Sequence, residues 1–154
     1  METRYISLSL DTAKRWYRQG GELKDMALGA YTLEELGYSL PKTFEEYLAI
    51  LDQWRIIPHK EEYEDLNPQI AAVKRLMLLQ TFYNNGWQPN WKEMVEDKFS
   101  IIRNYIKETD EYKYDVEGKY SPTYSTWLVF KSKKLADEFL NNFRDLIEEA
   151  GDLI

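Results

Sequence analysis

Cysteine is absent from this 154-residue sequence, and histidine occurs once. The lack of cysteine excludes disulfide bonds, thiolate zinc sites, iron–sulfur clusters and cysteine nucleophiles, and it is typical of a reducing compartment. The single histidine, His59, is followed by Glu61, Glu62 and Glu64 at a spacing that matches no zinc or EF-hand signature. We therefore interpret His59 as a solvated loop residue, and we expect no metal, no cofactor and no catalytic residues.

Long apolar runs are lacking as well. The longest, Leu76 to Phe82, contains Gln80 and is far shorter than the roughly 20 residues that a membrane span needs. The N-terminal stretch, with Glu2 and Arg4, does not have the pattern of a signal peptide. These features predict a cytoplasmic protein that does not bind a membrane.

Positive charge is in deficit. The chain has 27 acidic and 20 basic residues, a formal net charge of −7. Phosphate backbones repel such a chain unless its cations cluster on one face, and here the cations are scattered. We therefore do not expect nucleic acid as a partner. An acidic mimic that inhibits a host DNA-binding protein is an alternative, although lysines interrupt the carboxylates almost everywhere.

The overall composition, 44% hydrophobic and 15% aromatic, is that of a folded globular protein. The length predicts a single domain over residues 1–154. Apolar residues at helical spacing, together with capping residues, make residues 1–86 mainly helical. The predicted helices begin after Ser9 or Asp11, at Glu22, at Leu33 after a Thr32–Glu35 capping box, after Thr43, and at Asn67-Pro68, the last ending at Asn84-Asn85-Gly86.

The pattern changes after residue 86 to the alternation of β-strands. Three strands are predicted, at Lys98–Tyr105, Glu111–Glu117 and Ser125–Lys131. The third strand is apolar on both faces, which predicts that it is the central one. Ser132 caps a single final helix that runs to Gly151. The fold class is therefore α+β: a helical portion, then a small, mainly three-stranded antiparallel sheet packed with a C-terminal helix. A fourth short strand could lie at Tyr5–Leu8.

Four motifs carry a family resemblance. They are Leu-Pro-x-Thr-Phe-Glu-Glu at Leu40–Glu46, Gly-Trp-x-Pro-Asn-Trp at Gly86–Trp91, Lys98-Phe99, and Phe-Lys-Ser-x-x-Leu-Ala-Asp at Phe130–Asp137. In this succession the chain resembles small uncharacterised proteins of phages and mobile elements of gut bacteria. The resemblance implies an accessory protein and brings no catalytic residues with it.

Two groups of aromatic residues are candidate binding surfaces. Trp87 and Trp91 flank Pro89 and could present flat rings to a peptide, a sugar or a base, although packing over the end of the preceding helix is the ordinary role of such rings. Tyr112 and Tyr114 share one face of a strand and could stack on bases, but no basic stripe accompanies them.

The sequence therefore predicts a non-enzymatic protein that acts by protein–protein interaction, with a protein partner or a homodimer as the assembly. The alternative is a nucleic-acid-binding module that uses the aromatic face of the sheet. We expect any binding surface to lie around Trp87, Trp91, Tyr112 and Tyr114.

Overall fold

A computed structural model describes residues 7–31, 33, 35–93, 95–118 and 127–154. The chain divides into two compact units, Met1–Pro41 and Lys42–Ile154. Its described elements confirm the α+β class, with helices first and a three-stranded antiparallel sheet followed by helices after it. The single domain expected over residues 1–154 stays a prediction. The strand expected at Tyr5–Leu8, the cap at Thr32 and residues 125–126 of the third strand lie wholly or partly outside the described residues.

The described residues of the first unit form two helices, α1 (Leu10–Gln19) and α2 (Gly21–Ala30). Ser9 caps α1 by accepting a hydrogen bond from the backbone N–H of Thr12, as the sequence predicted. Gly20 has a φ of 74°, a left-handed conformation that glycine adopts without strain, and this allows the chain to turn from α1 into α2. Ala13, Tyr17 and Ala27 are buried within the unit.

The second unit begins with α3 (Phe44–Gln53), a short 3-10 turn (Lys60–Glu62) and α4 (Pro68–Tyr83). The Thr43 hydroxyl caps α3 by accepting from the N–H of Glu46, and the Glu46 carboxylate accepts from the N–H of Lys42. Asn67 caps α4 through the N–H of Gln69. Ring contacts join the two helices, with the Phe82 centroid 5.6 Å from that of Tyr47.

The sheet has the order β2-β1-β3, formed by β1 (Phe99–Ile106), β2 (Glu111–Gly118) and β3 (Val129–Phe130). All eight residues of β1 pair antiparallel with β2, and Phe99 and Ser100 pair with Phe130 and Val129 on the other side. The central strand is therefore β1, and the prediction that the third strand is central was wrong. β3 is nevertheless buried, because it packs against helices as well as against β1.

The final helix is divided in two, which corrects the prediction of one continuous helix. α5 (Lys133–Asn142), capped by Ser132, ends where Phe143 leaves helical geometry (φ −118°, ψ 24°), and α6 (Arg144–Ala150) follows. Phe143 is buried, and the centre of its ring lies 4.8 Å from that of Phe139 and 5.7 Å from that of Tyr83 on α4. α5 packs on β1 and β2, and α6 packs on α4, which also contacts α3 and β3.

Candidate functional site

The second unit has a cleft of about 300 Å³ between the C-terminal half of α4, the loop that follows it, and the start of β3. We call it the tryptophan cleft, because three of the five tryptophans of the chain line it. Its described lining consists of Met77, Gln80, Thr81, Asn84, Trp87, Gln88, Pro89, Trp91, Trp127 and Val129.

Local backbone conformation places the first two tryptophans. Asn85 (φ 51°) and Gly86 (φ 77°) are both in the left-handed region, which ends α4 and turns the chain back. The Glu96 carboxylate then holds the loop closed: Oε1 accepts from the Trp87 indole N–H at 3.2 Å, and Oε2 accepts from the backbone N–H of Asn90 at 2.8 Å. One side chain thus fixes both ends of the Trp87–Asn90 segment.

Lys98 stabilises the same loop from the protein interior. Its side chain is 0% exposed, and its ammonium donates to the carbonyl oxygens of Glu93 (2.7 Å) and Glu96 (3.1 Å). It also pairs with the Glu96 carboxylate at 3.2 Å and lies 5.6 Å from the centre of the Trp91 ring. A lysine is tolerated at this depth because oxygen acceptors and an aromatic face surround its charge.

These contacts also set the ionisation of the carboxylate. The hydrogen bond from the Asn90 N–H, together with those from Lys98 and Trp87 and the charge of Lys98, holds the pKa of Glu96 below its ordinary value of 4.5. Glu96 is therefore ionised at neutral pH. Because it is occupied by these donors, it is a poor candidate for a general acid or base.

Two side-chain amides form the opposite wall and cover the outer edge of β3. Gln80 Nε2 donates to the carbonyl oxygens of Trp127 (2.6 Å) and Val129 (3.0 Å). Asn84, 3% exposed, donates to Val129 O at 2.7 Å and accepts from the N–H of Lys131 at 3.2 Å. Asn84 thus makes the two bonds that a neighbouring strand would make. The third ring is fixed separately, because the Trp127 indole N–H donates to Leu153 O at 2.8 Å.

The predicted site residues separate into two places. Trp87 and Trp91 line the tryptophan cleft, whereas Tyr112 and Tyr114 are not among its described lining residues. Tyr114 is buried, and burial raises the pKa of its hydroxyl. Tyr112 is 52% exposed. Trp127, in the predicted third strand, and Met77, in the helix that ends at Asn84, were not assigned to a site from the sequence. No local spacing connects either residue with Trp87.

Tyr112 belongs to a small exposed cluster at the hairpin end of the sheet. Its ring centre lies 5.3 Å from that of Tyr105, its cross-strand partner, and 3.4 Å from the guanidinium carbon of Arg103. Arg103 in turn forms an ion pair with Asp152. The cation next to these rings is therefore already committed to a carboxylate.

Within the described ranges, no group of three or more histidine, aspartate or glutamate side chains is placed to hold a metal ion. His59 is exposed and starts the 3-10 turn, with its backbone N–H donating to the Glu62 carboxylate at 3.0 Å. None of the helices in the described ranges combines the length and apolar character that crossing a bilayer requires.

No protein-family model, curated protein or solved structure matches the chain significantly. The tryptophan cleft itself is therefore the basis for any statement about function.

Proposed function

We propose that the protein is a non-enzymatic, cytoplasmic accessory protein of a phage or mobile element, and that it acts by binding another protein through the tryptophan cleft. The observation that carries the proposal is the composition of this cleft. Three indole rings, Met77 and Pro89 line it. Large aromatic side chains and methionine are enriched in protein interfaces, and tryptophan is among the residues that supply most of the binding free energy.

The rigidity of the cleft supports the same proposal. Glu96 and Lys98 hold the loop of Trp87 and Trp91, and the Leu153 carbonyl holds Trp127. Rings that are fixed before binding lose little conformational entropy when a partner arrives, so more of the contact energy appears as affinity.

A nucleic-acid-binding role for the sheet is the weaker candidate. Its best feature is the exposed pair of Tyr105 and Tyr112. Single-strand binders combine such rings with a basic groove, whereas here Arg103 pairs with Asp152 and Lys113 with Asp115. A chain with net charge −7 gains little from releasing counterions.

The test is an affinity capture from host lysate, with and without nuclease, using the wild-type protein and two matched variants. Met77→Lys places a charge in the cleft, and Met26→Lys makes the same change on α2. Both methionines are helical and similarly exposed, at 52% and 57%, so neither change should unfold the protein.

We expect a host protein to be retained after nuclease treatment by the wild type and by Met26→Lys, and to be lost with Met77→Lys. Equal retention by all three proteins would reject the cleft as the binding site. Recovery of nucleic acid alone, released at high salt, would replace the proposal with the nucleic-acid-binding role. Size-exclusion chromatography of the same three purified proteins shows whether the cleft instead binds a second copy of this chain.

A further inference from the structure

The size of the tryptophan cleft limits what part of a partner enters it. Its volume of about 300 Å³ is at the lower end of the range of ligand pockets, about 300–1,000 Å³. A helix in a groove is bound through a row of anchors at i, i+3, i+4 and i+7, which is more than a cleft of this volume holds. A short extended segment, by contrast, presents a few side chains at a time.

The adjacent sheet edge does not offer the backbone groups that an added strand would need. Val129 O accepts from both Gln80 and Asn84, and the N–H of Lys131 donates to Asn84. Strand addition obtains its affinity from such main-chain groups. An extended segment in the cleft must therefore bind without a hydrogen-bonded ladder. Polyproline II is the extended conformation that needs none, since its backbone is solvated and has no internal hydrogen bonds.

The charges around the cleft favour an uncharged occupant. None of the ten described lining residues is charged, although 31% of the chain is. Glu96 and Lys98, which hold the loop of Trp87 and Trp91, are paired with each other. Polar recognition is restricted too, because the amide donors of Gln80 and Asn84 are committed to β3. A sugar, which needs several directed hydrogen bonds, and a phosphate, which needs cations, both suit the cleft poorly.

We infer that the tryptophan cleft binds a short, uncharged, proline-containing segment of a partner protein in the polyproline II conformation. The inference rests on the proposed function and specifies the chemistry of the partner. Aromatic-lined grooves recognise such segments because proline rings lie flat against indole faces and the segment is ordered before it binds. The exposed amide of Gln88, on the wall of the cleft, is a donor for one of the segment's carbonyl groups.

The experiment is an NMR titration of the full-length protein with decaproline, observing the indole N–H signals. The chain has five tryptophans, of which Trp87, Trp91 and Trp127 line the cleft and Trp16 and Trp54 do not. Single Trp→Phe variants assign the five signals. A glycine–serine peptide of the same length and cellohexaose are the control ligands, and Met77→Lys and Met26→Lys are the control proteins.

We expect decaproline to shift the three cleft signals saturably and to leave the other two in place. Met77→Lys should weaken this binding at least about tenfold, because it replaces an apolar contact with a charge, and Met26→Lys should not change it. The inference fails if decaproline moves no cleft signal, if the glycine–serine peptide is equally effective, or if only cellohexaose produces the shifts. A host protein captured in a Met77-dependent way without any response to decaproline would reject this inference and leave the proposed function standing.

Discussion

Lys98 stabilises the loop that carries Trp87 and Trp91. Its buried ammonium has three oxygen acceptors: the carbonyls of Glu93 and Glu96 and the Glu96 carboxylate. Lys98→Met keeps the length of the side chain but leaves these acceptors without a donor. We expect it to lower the free energy of unfolding by roughly 3 kcal/mol, measured by urea denaturation. Lys133→Met, which removes an exposed i,i+4 pair with Asp137, should have almost no effect. Equal losses for the two variants would show that the Lys98 contacts do not matter.

Glu96 gives the loop a pH dependence with a definite sign. Its folded-state pKa lies below the ordinary 4.5, chiefly because the Asn90 N–H donates to it. Its contribution to stability is therefore fully present above pH 4.5 and is lost as the pH falls through the folded-state value. We expect the indole N–H signal of Trp87 to move in this acidic range while that of Trp16 does not.

Glu96→Gln is the control for this titration. Glutamine keeps an acceptor for the loop but does not ionise, so the Trp87 signal should no longer change with pH in that range. The backbone N–H of Asn67 lowers the pKa of Asp65 as well, so acidification also protonates that carboxylate, and the variant separates its effect from that of Glu96. An unchanged titration of Trp87 in Glu96→Gln would contradict the assignment.

Two of the three tryptophans of the cleft were predictable from the sequence. Trp87 and Trp91 are recognisable because a proline lies between them and Asn84-Asn85-Gly86 precedes them, so a tight reversal is encoded locally. Trp127 was not assigned to the same site because its proximity depends on tertiary packing across some 40 residues of chain. Tyr112 and Tyr114 were paired correctly on one strand face, but burial of Tyr114 depends on how helices cover that face.

At the level of elements, the end of α4 completes the sheet. The Asn84 side chain occupies the position of a neighbouring strand on β3, donating to Val129 O and accepting from the Lys131 N–H. An unpaired strand edge invites association with other chains, and here helix side chains cover part of that edge. The backbone groups of this edge are thus satisfied although no strand pairs with them.

Asn84→Ala tests this arrangement. The substitution removes both bonds and leaves the Lys131 N–H without its acceptor, so we expect the free energy of unfolding to fall by roughly 1–3 kcal/mol. Asn84→Asp should be at least as harmful, since it sets a carboxylate oxygen against Val129 O. Asn85→Gly is the matched control: at φ 51° glycine is unstrained, and stability should hardly change. The free energy of unfolding of the three variants is measured by urea denaturation. If Asn84→Ala left it unchanged, Gln80 alone would be enough to protect the edge of β3.

Sequence patterns identified the elements better than their arrangement. Strands at Lys98–Tyr105 and Glu111–Glu117 were predicted within one residue of β1 and β2, because their alternation is local. The order of strands was predicted wrongly because an apolar run reports burial on both faces and does not distinguish cover by strands from cover by helices. The bend at Phe143 was missed because apolar spacing continues through it, from Phe139 to Ile147.

At the scale of the whole molecule, the chain is acidic but the described lining of its cleft is uncharged. A net charge of −7 favours solubility and repels polyanions. Under the proposed function, the tryptophan cleft, whose described lining carries no charge, binds through contacts that salt hardly screens. Partner binding through it should therefore depend weakly on ionic strength, in contrast to binding of nucleic acid.

The division into Met1–Pro41 and Lys42–Ile154 predicts which part of the chain folds alone. Lys42–Ile154 has a core of its own around Leu76, Tyr83, Phe130 and Phe139, and its size suffices for a stable domain. A chain of about 40 residues without disulfides or metal does not usually reach stability. We therefore expect a Lys42–Ile154 fragment to unfold cooperatively in urea and to keep the indole signals of Trp87 and Trp127 at their full-length positions. We expect the isolated Met1–Pro41 peptide to lack a cooperative transition. Loss of the cleft signals in the larger fragment would instead support the single domain that the length of the chain predicts, with the helical first unit needed to complete its fold.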